Sequence, residues 1–374
     1  MTQTADAPRR DFRDEVRNAV TPRAALLVIG VLALQMLFIA SYVGALHHPE
    51  PKDIKVAVVA PEQVSSHTVR RLERLPGSPL KPRALPDEAS ARRQMMNRDI
   101  DAAVVIDPRG ETDRLLTASG QGASETRVIE QLFQKVEQSQ NRTLKIEDIA
   151  AADPEDANGL SSFYLIIGWC VGGYLCAAIL AISAGARPAN LSRAVIRLLV
   201  MVPYSIASGL LGAVIVGPIL GALPGSLLGL WGLGALVVFS VGAATLALQT
   251  VFGIVGIGLA ILLIVVAGNP SAGGAFPLPL IPPFWQAIGP ALPPGAGTWV
   301  ARSIAYFRGN AVTGPLLVLS AWAVAGTLIT LLGSALRGGR TREGVHTGPA
   351  TPYGDTASGA HQAPGGPGRP NGLG

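Results

Sequence analysis

The sequence predicts an α-helical polytopic membrane protein with six transmembrane helices and a small α/β extracytoplasmic domain inserted between helices 1 and 2. Three observations predict it. Of 374 residues, 49% are hydrophobic and only 15% charged, against about 25% charged in an ordinary soluble domain. The shortage is concentrated in residues 161–336, which hold five arginines and no Asp, Glu or Lys. Residues 47–160, in contrast, carry 16 basic and 19 acidic side chains, the balance of a surface that meets water.

Taken in order, residues 1–23 form a cytoplasmic N-terminal segment with Arg9, Arg10, Arg13, Arg17 and Arg23. Phe12, Val16 and Val20 fall on one helical face there, the pattern of a short amphipathic helix in the headgroup layer. Six apolar stretches follow at about the 20 residues a bilayer core requires: 24–46, 162–184, 194–220, 227–248, 251–267 and 314–336. The third contains Pro203 and Pro218, which predict a kink, and the fifth is short. The first could be read as a cleaved signal peptide, with small residues at 43–45. Its apolar run exceeds the usual 7–15 residues of such leaders, so it is assigned as an anchor.

Between the first and second spans, 54–60 and 102–106 are β-branched runs ended by Pro61 and by Asp107-Pro108, as buried strands are; 115–119 is a weaker strand. Val69, Leu72 and Leu75 recur at helical spacing, Pro86-Asp87-Glu88 opens a second helix, and 124–140 is amphipathic, with Ile129, Leu132, Phe133 and Val136 on one face. Residues 161–336 make a five-helix membrane domain. Its segment 276–307, broken by prolines and rich in aromatics, reads either as a re-entrant external gate (Phe284, Trp285, Pro293, Trp299, Arg302) or as an interfacial aromatic belt. Residues 337–374, rich in Gly and Pro, read as a disordered cytoplasmic tail. Short cytoplasmic loops collect Lys and Arg. The arginines before the first span, Arg187, Arg193 and Arg197 after the second, and Arg337, Arg340 and Arg342 after the sixth put both termini in the cytoplasm of a multi-pass plasma-membrane protein. Arg302 and Arg308 break that rule.

Several function classes are excluded or left without support. A phosphate-binding loop needs a Gly-Lys-[Ser/Thr] step, and none of the five lysines follows a glycine, so the chain is not its own P-loop ATPase. No catalytic constellation, metal set or cofactor motif stands out. His67 and the pair His47-His48 are isolated, and Asp99, Asp101 and Asp107 at strand ends read as turn residues. The arginines lie dispersed around the spans and make no nucleic-acid patch. No Asp, Glu, Lys or His lies within any of the six stretches, so a proton-driven exporter lacks the intramembrane group it normally requires. A non-transporting envelope protein whose external domain binds a partner stays open.

Three passages carry a likeness to a known family: Ile54–Ala60 as first external strand; Asp87-Glu88-Ala89-Ser90-Ala91 through Arg98-Asp99-Ile100-Asp101-Ala102-Ala103-Val104-Val105-Ile106-Asp107-Pro108; and Gly273-Gly274-Ala275-Phe276-Pro277 through Pro282-Pro283-Phe284-Trp285 and Leu292-Pro293 to Arg302. In order and topology they resemble the type-2 ATP-binding-cassette (ABC) exporter permeases, in the branch related to phage-infection-type membrane proteins. The resemblance implies a permease subunit that pairs with a second permease as homodimer or heterodimer within membrane lipid. It also implies export of a hydrophobic or amphipathic compound with energy from a separate ATP-binding subunit. On the same likeness, 185–197, with Arg187, Arg193 and Arg197, matches the coupling element that docks on the ATPase. The external domain is much smaller than in many phage-infection-type members.

Overall fold

A computed structural model describes residues 21–343; the predicted amphipathic helix before residue 21 and the Gly/Pro-rich tail beyond residue 343 lie outside the described residues, while 337–343, expected in that tail, continue the last helix. The first helix, α1 (Pro22–Leu46), starts where Thr21 accepts a hydrogen bond from the Ala24 amide and Pro22 occupies the first turn, a position where the missing N–H is no loss.

The α/β domain runs β1 (Ile54–Val59), α2 (Glu62–Glu73), β2 (Leu80–Leu85), α3 (Glu88–Met96), β3 (Ala102–Val105), β4 (Thr112–Thr117), α4 (Ala123–Gln138) and β5 (Thr143–Asp148). Its sheet has the order β2-β1-β3-β4-β5. β4 is antiparallel to β3, while the other neighbouring pairs are parallel. Asp87 caps α3 through the Ser90 amide, as the Pro-Asp-Glu start predicts. Two strands were not expected, β2 and β5, and both lie at sheet edges. Edge strands have one hydrogen-bonded side, so their residues stay largely exposed and lose the apolar run that marks a buried strand. Pro82 inside β2 is tolerated for the same reason.

The two faces of the sheet are closed differently. Ile54, Val56, Val58, Val104 and Leu115 pack under α2 and α4 through Leu72, Ile129 and Phe133. The opposite face, with Ala57, Val59, Ala103 and Leu116, meets Ala91 and Met95 of α3 and continues into the apolar interior of the membrane helices. On the outer side of α3, Arg92 and Arg114 both pair with Glu88 and Glu147.

The remainder comprises α5 (Ser161–Ala184), α6 (Leu191–Val214, continued by a wide-turned stretch Ile215–Ile219), α7 (Leu227–Phe252), α8 (Val255–Ile261, continued through Leu262–Gly268 and Asn269–Ser271), α9 (Pro283–Ile288), α10 (Pro293–Tyr306) and α11 (Thr313–Glu343). Among the described residues five helices are long and apolar enough to cross a membrane: Ala24–Leu46, Ser161–Ala184, Leu191–Ile219, Leu227–Phe252 and Thr313–Arg337. The predicted fifth stretch is a shorter apolar helix, Val255–Ser271. α7 extends four residues past its predicted end, and Gly253 then turns the chain at φ +66°, a conformation glycine adopts without steric cost. α7 is the central helix, packed on α5, α6 and α11. Its backbone meets that of α6 where Gly209 and Gly234 face each other without side chains, the close approach small residues allow.

Candidate functional site

The segment between α8 and α11 does not run as one long helix. It turns at Gly273, forms a 3-10 turn at Leu278–Leu280 and the short α9, then enters α10 at Pro293-Pro294. Two prolines suit a helix start, where the first amides need no intrahelical acceptor. α10 lies between α5, α7 and α11 and is buried along most of its length. The α/β domain rests on this segment. Lys52 N donates to Pro279 O, Ser124 Oγ to Ala275 O and Asn310 Nδ2 to Met96 O.

Where the two parts meet there is a cavity of about 690 Å³. Two buried arginines reach it from opposite sides. Arg302, on α10, donates to the carbonyls of Gly273 (2.7 Å), Gly274 (3.0 Å) and Gly159 (3.2 Å). It thereby ties the turn after α8 and the entry to α5 onto α10. Arg98, directly after α3, donates to Trp299 O and Ser303 Oγ, both at 2.8 Å. Its guanidinium lies 3.5 Å from the Trp299 ring centroid and 4.9 Å from that of Phe307, a cation–π arrangement that stabilises a desolvated cation. Burial, followed by the charge of Arg302, lowers Arg98 to about 9, which leaves it protonated at neutral pH. The Nε of each arginine has no hydrogen-bond partner.

Carboxylates complete the cluster. Asp101 accepts from Lys55 N (2.9 Å) and from Gln121 Nε2 (2.7 Å), so it shapes the cavity and is not merely a turn residue. Gln121 also donates to Glu125 at 3.3 Å. Glu125 is buried and its Oε1 is unpartnered. Burial, then the neighbouring charge of Asp101, holds its carboxyl well above the ordinary range, with Gln121, Arg302 and Arg98 pulling it back. At the cavity mouth stand Lys52, Lys55 and Lys81, and its walls include Pro277, Leu278, Pro279 and Trp299.

Of the gate residues expected from sequence, Trp299 and Arg302 line this cavity. Pro293 is buried at the start of α10, while Phe284 and Trp285 sit on α9, edge to face at 5.0 Å, with Phe284 exposed. The three arginines of 185–197 are separated. Arg197 is buried and donates to Ala184 O (3.0 Å) and Gly185 O (2.6 Å), satisfying the open carbonyl end of α5. Arg187 donates to Val251 O at the end of α7, and Arg193 is exposed. Sequence reasoning missed Arg98, Gln121 and Glu125. In the structure Arg98 is a buried cation at φ +61°, and nothing in one dimension places it against residues about 200 positions later.

Two further hollows are present. One of about 810 Å³ lies between α5 and α6, lined by Tyr164, Gly168, Trp169, Tyr204, Ser208 and Leu211. The other, about 400 Å³, lies between α2 and α4 and includes His67, Asp113, Glu137 and Arg142. Among the described residues no group of three or more His, Cys, Asp or Glu is arranged to hold a metal ion. No protein-family model matches the chain, and no curated protein matches it.

Proposed function

We propose that the chain is the membrane-spanning permease subunit of an ABC-type exporter. It moves a hydrophobic or amphipathic compound outward, with energy from a separate ATP-binding subunit and with a second permease as partner. The observation that carries this reading is the cavity where the charged face of the external domain meets the apolar helices, since an amphipathic cargo needs both environments within reach. In the proposed topology Val255–Ser271 is the sixth crossing. Arg187 and Arg337 meet the end of α7 at one pole of the bundle, and Ser271 and Thr313 border the cavity at the other. The arginine pole is cytoplasmic under the positive-inside rule. There Arg193, exposed in the first turn of α6, is the residue of 185–197 best placed to meet an ATPase.

The test is transport of an amphipathic fluorescent dye into inverted membrane vesicles. Uptake should require ATP and a co-expressed ATP-binding partner, and Arg193→Glu should reduce it at least several-fold with unchanged protein level. Uptake that persists without any ATPase overturns the reading.

One observation favours a second reading, export driven by protons. The spans carry no acid, yet Glu125 reaches the edge of the bundle from the external domain and stands buried among Gln121, Asp101 and the two arginines. A carboxyl that exchanges its proton there could couple to the gate. Under this reading a proton uncoupler abolishes dye uptake, and Glu125→Gln does the same in its absence.

A further inference from the structure

The cavity carries an excess of positive charge that its own residues do not neutralise. Lys55 and Lys81 are direct neighbours in the parallel pair β1–β2. They point from the sheet face that bears Ala57 and Val59, the face turned to the membrane helices. Like charges side by side across strands are destabilising. With Lys52, Arg98 and Arg302, five cations border the cavity, against Asp53 and Asp101 on its lining, while Glu125 acts on both arginines and Asp156 on Arg302. Asp101 is already engaged by the Lys55 amide and by Gln121, and none of the three lysines forms an ion pair among the described residues. Deeper in, Arg98 and Arg302 repel one another and each keeps a buried Nε without an acceptor.

These two pairs of like charges converge on one space, and that space has Leu278, Trp299 and several prolines along its sides. Its volume lies within the range of about 300–1,000 Å³ typical of small-ligand sites. A hydrated cation or a neutral amphiphile would leave the repulsion in place. An anion would relieve both pairs at once, and an attached chain would cover the apolar wall.

We propose that this cavity binds an anionic amphiphile, its phosphate or equivalent anionic group held between Lys55, Lys81 and Arg98 and its apolar chain along Leu278 and Trp299. For transport, this names the cargo class of the exporter reading and rests on it; for binding, it requires neither ATP nor a partner. Lysines at the mouth draw the headgroup in by long-range attraction, and the arginines below provide acceptor-seeking donors where water is scarce.

The test uses the full chain in a neutral amphipathic polymer, titrated with soluble short-chain lipids and followed by tryptophan fluorescence and calorimetry. Dihexanoyl phosphatidylglycerol should bind at least tenfold more tightly than dihexanoyl phosphatidylcholine, and inorganic phosphate alone should bind more weakly than the phosphatidylglycerol. Lys55→Gln with Lys81→Gln, both at exposed positions, should weaken phosphatidylglycerol binding about tenfold and flatten its salt dependence. Trp299→Phe should remove the fluorescence response while the calorimetric signal remains. Equal binding of the two lipids overturns the charge selection. Phosphate binding as tight as that of the lipid overturns the amphiphile assignment, and an unchanged affinity in the double-lysine variant overturns the site. If phosphatidylglycerol binds as expected while ATP-dependent uptake fails, the exporter reading falls and the binding site stands; ATP-dependent export without this binding has the reverse meaning.

Discussion

The two faces of the five-stranded sheet are built from different distances along the chain. One is closed mainly by α2 and α4, with Leu280 and Phe276 joining from the segment before α10, and it is the drier face, an apolar layer centred on Phe133 beside a hollow of about 400 Å³ and the Asp113–Arg142–Glu137 cluster. The other is closed by α3 and by α10, whose residues lie roughly 200 positions later, and it contains two buried arginines, a buried glutamate and a cavity. A face closed mostly by its own neighbours is filled mostly with hydrocarbon. A face that meets a second structural unit carries the polar groups that fix how the two units sit, and those groups are what give it chemistry.

The largest effect should come from the dry face. Phe133→Ala removes a fully buried ring and should cost about 3–5 kcal/mol. Hydrogen exchange on the full chain should accelerate in α2, α4 and the strands, while α7 and α10 keep their protection. Equal acceleration in α10 would mean that the faces are not energetically separate.

The second effect probes the docked face. Arg98→Ala deprives Trp299 O and Ser303 Oγ of their donor, a loss of about 1–3 kcal/mol for buried partners left unsatisfied. Exchange should rise in α10 and in the turn after α8, with little change in α4. Arg98→Lys should not restore protection, because an ammonium cannot both lie flat on Trp299 and donate in two directions. Gly120→Val tests the same junction by intrusion: a Cβ at this position overlaps the Tyr306 ring, so the domain must shift, and the same peptides should lose protection.

This comparison also explains what could be read from the sequence. The strands at Ile54–Val59 and Ala102–Val105, the helices opened by Asp87 and by residues near 124, and the long apolar helices all follow from local pattern, period and capping, so they are legible. β2 and β5 are not, because an edge strand need not be apolar. The site was half legible. Trp299 and Arg302 stand out as an aromatic and a cation where topology offers no reason for them. Glu125 does not, since it looks like one more acid in the first turn of an amphipathic helix. Its burial comes from the partner segment, not from its neighbours. The same limit applies to α1 and α7. Their mean hydropathies, 2.4 and 2.0, are close, yet 6% of one and 56% of the other is buried. Hydropathy says that a helix avoids water; only its small residues, as at Gly234, hint that it meets other helices.

The smallest effect concerns an ionisable pair on the dry side, and it asks whether that face has any pH response of its own. Arg142 holds both oxygens of Asp113 at 2.7 Å, while Glu137 is left 3.9 Å from the same guanidinium. Burial, then the charge of Asp113 and a hydrogen bond with it, raises Glu137 from its ordinary 4.5 to about 7. The folded domain therefore keeps a proton that the unfolded chain releases between those values. Stability from this group is fully present below the ordinary value and is lost as pH rises through about 7. Glu137→Gln keeps the protonated shape at every pH. It should match the wild type near pH 4 and exceed it at pH 8, the gap opening as pH rises from 4.5 through about 7. Exchange of α4 amides, corrected for the intrinsic rate at each pH, reads the difference. Parallel pH profiles for the two proteins would place the proton elsewhere and leave the dry face without a titrating group, whereas convergence at low pH assigns it to Glu137 and Asp113.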